Sequence, residues 1–146
     1  MLLSVEPPLK RPLQVATDCS GMESPILALK DLGIDHGHVF SSDTCKCSRK
    51  VSRLVSRPMK SYKNIIHRDN GTTDGCDLYV AGPPCQPYSR AGKKRGAKDK
   101  RSCLLYFVLD YIVQTRPRVA VLEQVPQFKT WRKFRKLSYF CLTGFN

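Results

Sequence analysis

No apolar run in this sequence approaches the roughly 18 residues that a membrane-crossing helix needs, so no membrane partner is expected. The N-terminus, MLLSVEPPLKRP, is too short and too broken by proline for a secretory signal. No C-x-x-C pair and no H-x₃₋₅-H pair occurs, so the usual spacings of a structural zinc site are missing and no metal is expected; only Cys45 and Cys47 stand close together. The seven cysteines are odd in number, and without a sign of secretion they read as reduced intracellular thiols. Internal repeats and low-complexity tracts are absent. Acidic residues are scarce: 12 Asp and Glu against 25 Lys and Arg leave a formal net charge of +13. Solubility needs far less, and the excess points to a polyanionic partner, although ribosomal and membrane-surface proteins are also basic.

What is present is enough for one small domain: 146 residues, 41% of them hydrophobic. Residues 1–11 read as a disordered leader and 12–146 as the folded part. Leu13 to Thr17 suits a first strand ending at Asp18. Gly21 then permits a tight turn, Ser24 can cap a helix, Pro25 suits its first turn, and Ile26, Leu27 and Leu29 give it an apolar face. Strand, turn and helix in this order build nucleotide-type cofactor sites, but equally an ordinary connection. His38 to Ser42 reads as a second strand with Asp43 at its tip. A carboxylate there can accept from both hydroxyls of a ribose, or cap the helix expected from about Cys45 to Val55, or do both. That helix and its successor carry Lys46, Arg49, Lys50, Arg53, Arg57, Lys60 and Lys63. They read as a solvated outer face, with a nucleic-acid footprint as the alternative. Tyr62 to Ile66 suits a short third strand. Ser102 to Thr115 suits a core-facing helix broken at Arg116-Pro117, and Val119 to Leu122 another buried strand with Glu123 at its tip. Alternating strands and helices imply a mostly parallel α/β sheet with helices on both faces. Phe128 to Asn146 is aromatic and basic and suits an amphipathic helix.

The densest stretch runs from Asp77 to Arg101, DLYVAGPPCQPYSRAGKKRGAKDKR. Leu78 to Ala81 reads as a buried strand that Gly82-Pro83-Pro84 ends as a stiff turn. Cys85 follows at once, at the carboxyl end of a strand, where α/β folds hold their ligands. Beyond it Arg90, Lys93, Lys94, Arg95, Lys98, Lys100 and Arg101 meet a single acid, Asp99. A cysteine on a rigid turn before a cationic lid suits a nucleophile working on a polyanion. A buried structural cysteine before a solvated loop has the same pattern.

Three motifs decide between them. Gly82-Pro83-Pro84-Cys85-Gln86-Pro87-Tyr88-Ser89 resembles the catalytic motif of the cytosine-5 methyltransferases. Leu122-Glu123-Gln124-Val125 resembles that family's ENV motif, and Asp18 to Pro25 its cofactor loop. They occur in family order with family-like spacing, over about residues 12 to 128. The resemblance implies a Rossmann-like domain dependent on S-adenosylmethionine. It implies that Cys85 attacks carbon 6 of cytosine, its thiolate favoured by cations such as Arg90, and that Glu123 binds the base edge at ring nitrogen 3 and donates a proton. A glutamate buried there would be paired or partly neutral. By the same resemblance Asp18, Gly21, Met22, Asp43, Asn64 and Pro83 hold the cofactor, with Asp69 or Asp74 as alternatives to Asn64. Gln86, Ser89, Arg90, Lys93, Lys94 and Arg95 would contact nucleic acid around a flipped base.

Two positions depart from the family pattern: Gln124 replaces the usual asparagine, and Cys19 stands where an apolar residue is common. The family's later motifs are missing, so a truncated catalytic domain is expected, completed by a partner chain that supplies them. DNA is the expected substrate. The paired prolines and Ser89-Arg90 resemble the tRNA-modifying branch, which makes tRNA the alternative, and an inactive nucleic-acid-binding remnant is a third reading. A eukaryotic DNA-modifying enzyme would be nuclear, and otherwise the chain would be cytoplasmic.

Overall fold

The computed structural model describes residues 11–84 and 103–124. Five strands, β1 (Leu13–Asp18), β2 (His36–Ser42), β3 (Lys60–Tyr62), β4 (Leu78–Ala81) and β5 (Val119–Leu122), form one sheet in the order β3-β2-β1-β4-β5. All four pairings are parallel. Three helices connect them: α1 (Ser24–Asp31), α2 (Lys46–Val55) and α3 (Cys103–Thr115), with a short 3₁₀ turn at Ile65–His67. Among the described residues no helix is long and apolar enough to cross a membrane.

The two faces of the sheet are covered separately, because alternate residues of a strand point to opposite sides. Val15 packs with Ile26 and Leu29 of α1, alongside Leu78. Their chain neighbours Ala16 and Tyr79 turn the other way, into a larger cluster with Val108, Tyr111 and Ile112 of α3, Phe40 and Ile65. Phe40 and Tyr79 both stand against the Tyr111 ring, at centroid distances of 5.4 and 4.6 Å. Arg11, the last residue of the expected leader, belongs to this body: its guanidinium meets both carboxylate oxygens of Asp77 at 2.8 Å. A backbone amide, Gln14 N–H, also donates to that carboxylate. Burial alone would raise the Asp77 pKa, but these donors outweigh it and hold the carboxyl below its ordinary range.

Two expectations change. The third strand is Lys60–Tyr62 rather than Tyr62–Ile66, because the Asn64 side chain accepts from the Ile66 amide and turns that N–H into a helical cap. Between α2 and β3 the expected second helix does not form. Arg57 sits in the left-handed region at φ 47°, Pro58 follows, and the chain enters β3. α2 itself is an unusual helix. It has no acid in its first turn, and Lys46/Arg49, Lys46/Lys50, Arg49/Arg53 and Lys50/Arg53 are like-charge neighbours one turn apart. At a few tenths of a kcal/mol each, such pairs cost an isolated helix about 1–2 kcal/mol together.

Candidate active site

All five strands point their carboxyl ends at the same edge, and the sheet order reverses between β1 and β4. Open α/β sheets hold their ligands at such a switch point. A cleft of about 340 Å³ opens there. Every strand tip contributes to it: Cys19 after β1, Ser42, Asp43 and Thr44 after β2, Ile65 after β3, Gly82 to Pro84 after β4 and Glu123 after β5. A groove of about 480 Å³ beside Lys30, Ile34, Asp35 and His38 lies away from these tips and holds none of the expected site residues.

The turn from β1 into α1 is built around Asp43. Gly21 takes φ +52°, a conformation that a side chain would strain, and its N–H donates to Asp43 Oδ2 at 2.9 Å. The Cys45 N–H donates to Oδ1 at 2.7 Å. Asp43 therefore braces the first turn and the start of α2 together, and each oxygen keeps lone-pair capacity toward the cleft. That arrangement fits a ribose diol. Met22, on the same turn, is 63% exposed. Cys19 lines the cleft as a neutral thiol: burial, reinforced by Asp18 and Asp43, pushes its pKa up to about 12.

Asp18 is placed differently from a ligand-facing carboxylate. Both its oxygens are bound by Arg68, at 2.7 Å each, and Oδ2 also accepts from the Tyr79 hydroxyl. Aspartate and arginine side chains are 0% and 1% exposed. The guanidinium lies over the rings of Phe40 and Tyr111, 4.5 and 4.9 Å from their centroids. Asp18 thus anchors the floor of the cleft, and its carbonyl accepts from Gly82 N–H, joining the β1 and β4 tips. Asn64 is occupied in its 3₁₀ cap, and its neighbour Ile65 lines the cleft instead.

Beneath the first turn lies a second buried polar chain. Glu23 is fully buried at φ 59°, and its Oε2 accepts from the Thr17 hydroxyl at 3.0 Å. Thr17 Oγ1 in turn contacts His38 Nε2 at 3.1 Å, and His38 Nδ1 contacts Ser56 Oγ at 2.7 Å. Burial pushes the His38 imidazole below its usual pKa, against the opposing pull of Glu23.

On the opposite wall, Pro83 is buried, and Gln124 Nε2 donates to its carbonyl. The departure from the family's asparagine therefore ties the β5 tip to the proline turn. Glu123 stands at that tip, its N–H extending the ladder to Ala81 O at 3.0 Å, with its carboxylate near Gly82. It is exposed rather than buried, so the cost of a buried carboxylate does not arise here. Cys85, Gln86, Ser89, Arg90, Lys93, Lys94 and Arg95 lie outside the described residues, as does the segment Phe128 to Asn146; Cys85 is joined directly to Pro84 of the cleft wall. Ser42 and Thr44 were not anticipated, although both flank Asp43 at a strand tip, and Leu104 and Arg68 gave no local signal.

A parallel sheet that switches order over such a cleft is a Rossmann-like α/β architecture. Two solved structures share it: Dnmt2 methyltransferase of S. pombe, at TM-score 0.71 and 21% identity over 90% of this chain and 42% of that one, and a DNMT2 mutant of Spodoptera frugiperda, at TM-score 0.66 and 23% identity. Residues 19–143 match the family model for C-5 cytosine-specific DNA methylase, and the chain belongs to that family. It is 42% identical over 97 residues to the type II methyltransferase M1.ScrFI of Lactococcus lactis subsp. cremoris, covering 66% of this chain and 25% of that protein. It is 39% identical over 99 residues to M.NlaX of Neisseria lactamica, covering 68% and 32%. The chain thus spans about a quarter to a third of the length of these relatives. The family is enzymatic and uses S-adenosylmethionine as its methyl donor.

Proposed function

We propose that this chain carries the cofactor cleft and the catalytic cysteine of a cytosine-5 methyltransferase acting on DNA. The observation that carries the reading is the convergence at one sheet edge of the Gly21 turn, Asp43, the Pro83-Pro84 wall that leads into Cys85, and Glu123. Asp43 would accept from the ribose hydroxyls of S-adenosylmethionine, with the Gly21 turn and Pro83 beside it. When bound, that cofactor supplies an electrophilic methyl group.

The remaining chemistry belongs to the chain. The Cys85 thiolate forms a bond to carbon 6 of cytosine, and the electron pair of the 5,6 double bond moves toward carbon 5 and into the ring. Glu123, hydrogen-bonded at ring nitrogen 3, supplies the proton that neutralises the developing charge. Once carbon 5 has gained the methyl group, its proton leaves to a base, the double bond re-forms, the bond from Cys85 to carbon 6 breaks with its electron pair returning to sulfur, and the proton on ring nitrogen 3 goes back to Glu123. The exposure of Glu123 suits this role, since the incoming base would bury it.

The test is covalent trapping. With 5-fluorocytosine in the substrate, fluorine replaces the departing proton, so the adduct to Cys85 should accumulate and survive denaturation. Cys85→Ser should abolish it, Cys76→Ser and Cys103→Ser should not, and Glu123→Gln should slow it by about 10²–10⁴-fold. DNA and tRNA are assayed in parallel, with and without a partner polypeptide carrying the segments its relatives have and this match lacks. Trapping on tRNA alone would favour the reading suggested by Pro83-Pro84 and Ser89-Arg90. No adduct under any of these conditions would leave the inactive, nucleic-acid-binding reading.

A further inference from the structure

From Thr44 to Arg68 the chain contains no Asp or Glu. Three of its cations are occupied: Arg49 donates to the carbonyls of Asp43 and Thr44, Lys60 pairs with Asp74, and Arg68 with Asp18. Lys46, Lys50, Arg53 and Arg57 are exposed, and among the described residues none of them makes an ion pair. Their spacing of four, three and four residues sets the first three in one line along α2, and Arg57 continues it just past the helix end. The buried or half-buried residues Ser48, Val51, Ser52 and Val55 occupy the opposite side of the helix. The line therefore runs down the outward side of α2, flanked by the exposed Cys47 and Leu54.

Fold stability does not call for this pattern. Like charges one turn apart destabilise a helix, and Lys46 stands at the positive end of the helix dipole. A face that only had to stay in water would intersperse acids. A polyanion laid along the line converts every one of these repulsions into attraction. At a rise of 1.5 Å per residue, Lys46 to Arg53 spans about 10 Å, roughly three phosphates of one strand at 3.4 Å each. Direction matters too. α2 starts beside Thr44 at the cleft and joins two parallel strands, so it runs back toward the other end of the sheet. A straight duplex lying across the strand tips would meet Lys46 alone.

We infer that the outer face of α2 is a second phosphate-docking track, separate from the cleft, which holds a part of the nucleic-acid substrate that turns down the flank of the domain away from the reacting base. The inference rests on the proposed nucleic-acid substrate but not on the methyl-transfer chemistry.

The test measures equilibrium binding of the full chain to a duplex several turns long and to folded tRNA, from low to physiological salt. Each lost phosphate contact lowers the slope of log K against log salt by about 0.9 on a duplex and about 0.7 on single strands. Lys50→Gln with Arg53→Gln should lower it by about 1.4–1.8, and the further changes Lys46→Gln and Arg57→Gln should bring the loss to roughly 3. Arg116→Gln with Arg118→Gln removes the same net charge beside β5, at the far edge of the sheet, and should leave the slope within a few tenths. Thermal melting of each variant checks that the fold is intact. Equal slopes for the α2 pair and the control pair would overturn the track, leaving only a diffuse field. A slope change confined to α2 in a protein that never traps 5-fluorocytosine would uphold the track and remove the enzymatic reading instead.

Discussion

At the scale of single residues, Asp18 and Arg68 are the pair on which the cleft floor depends. Their side chains are almost wholly buried, so removing one partner strands a charge. Asp18→Asn or Arg68→Met should each cost about 3–5 kcal/mol, read from urea denaturation. Replacing both, with Asp18→Leu and Arg68→Met, should recover most of that loss, because a buried pair exchanged for apolar side chains is often near neutral. A double variant as unstable as either single one would show that the pair does more than balance charge. His38 gives a pH signature of its own. Its folded pKa lies below the unfolded value of about 6.5, so the unfolded chain takes up the proton first. Its contribution is complete above about pH 6.5 and is lost as pH falls toward the folded value, by at most about 1.4 kcal/mol per pH unit. Wild-type stability should decline between about pH 6.5 and 5, and His38→Gln should flatten that decline. An unchanged slope would mean that other groups set it.

At the scale of elements, α2 and α3 end alike. Each is followed by an arginine at φ 47°, Arg57 or Arg116, and then by a proline. Left-handed backbone costs an ordinary residue about 1–2 kcal/mol, part of which glycine returns through the entropy of its unfolded chain. Arg116→Gly should therefore raise stability by about 0.5–1 kcal/mol, seen as a higher melting temperature; a lower one would mean that the arginine side chain earns its place by packing. The same elements show what the sequence discloses. β4, β5 and α3 are legible because Leu78–Ala81, Val119–Leu122 and the stretch up to Thr115 are apolar runs closed by proline or glycine. The short β3 is not, since Asn64 competes locally for a backbone amide that the strand pattern would have used. In the site, Asp43 and Gly21 are legible because strand-tip chemistry is local. The capture of Asp18 by Arg68 is not, because the partners are 50 residues apart and only the folded sheet brings them together.

At the scale of the whole molecule, the cleft draws on all five strand tips, so a ligand held there should stabilise the entire sheet. S-adenosylhomocysteine at about a hundred times its Kd should add about 2.7 kcal/mol to the unfolding free energy. Asp43→Asn keeps one of the two acceptor oxygens that brace Gly21 and Cys45, so its unliganded melting should fall as well, and the ligand-induced gain, read from the variant's own unliganded baseline, should shrink; a ligand that leaves wild-type melting unmoved would remove the cofactor assignment. The sheet order also has a history in time. β1 is made first yet lies in the middle, hydrogen-bonded to β2 on one side and to β4 on the other. During synthesis β1, β2 and β3 can assemble as soon as Tyr62 has emerged, whereas β4 is not complete until Ala81. At roughly 5–20 residues per second the ribosome leaves a gap of about 1–4 s. Through that interval the nascent sheet presents the bare edge of a strand that the finished fold buries from Val15 to Asp18, which makes this the moment when the growing chain is most open to capture by a chaperone or by another copy of itself.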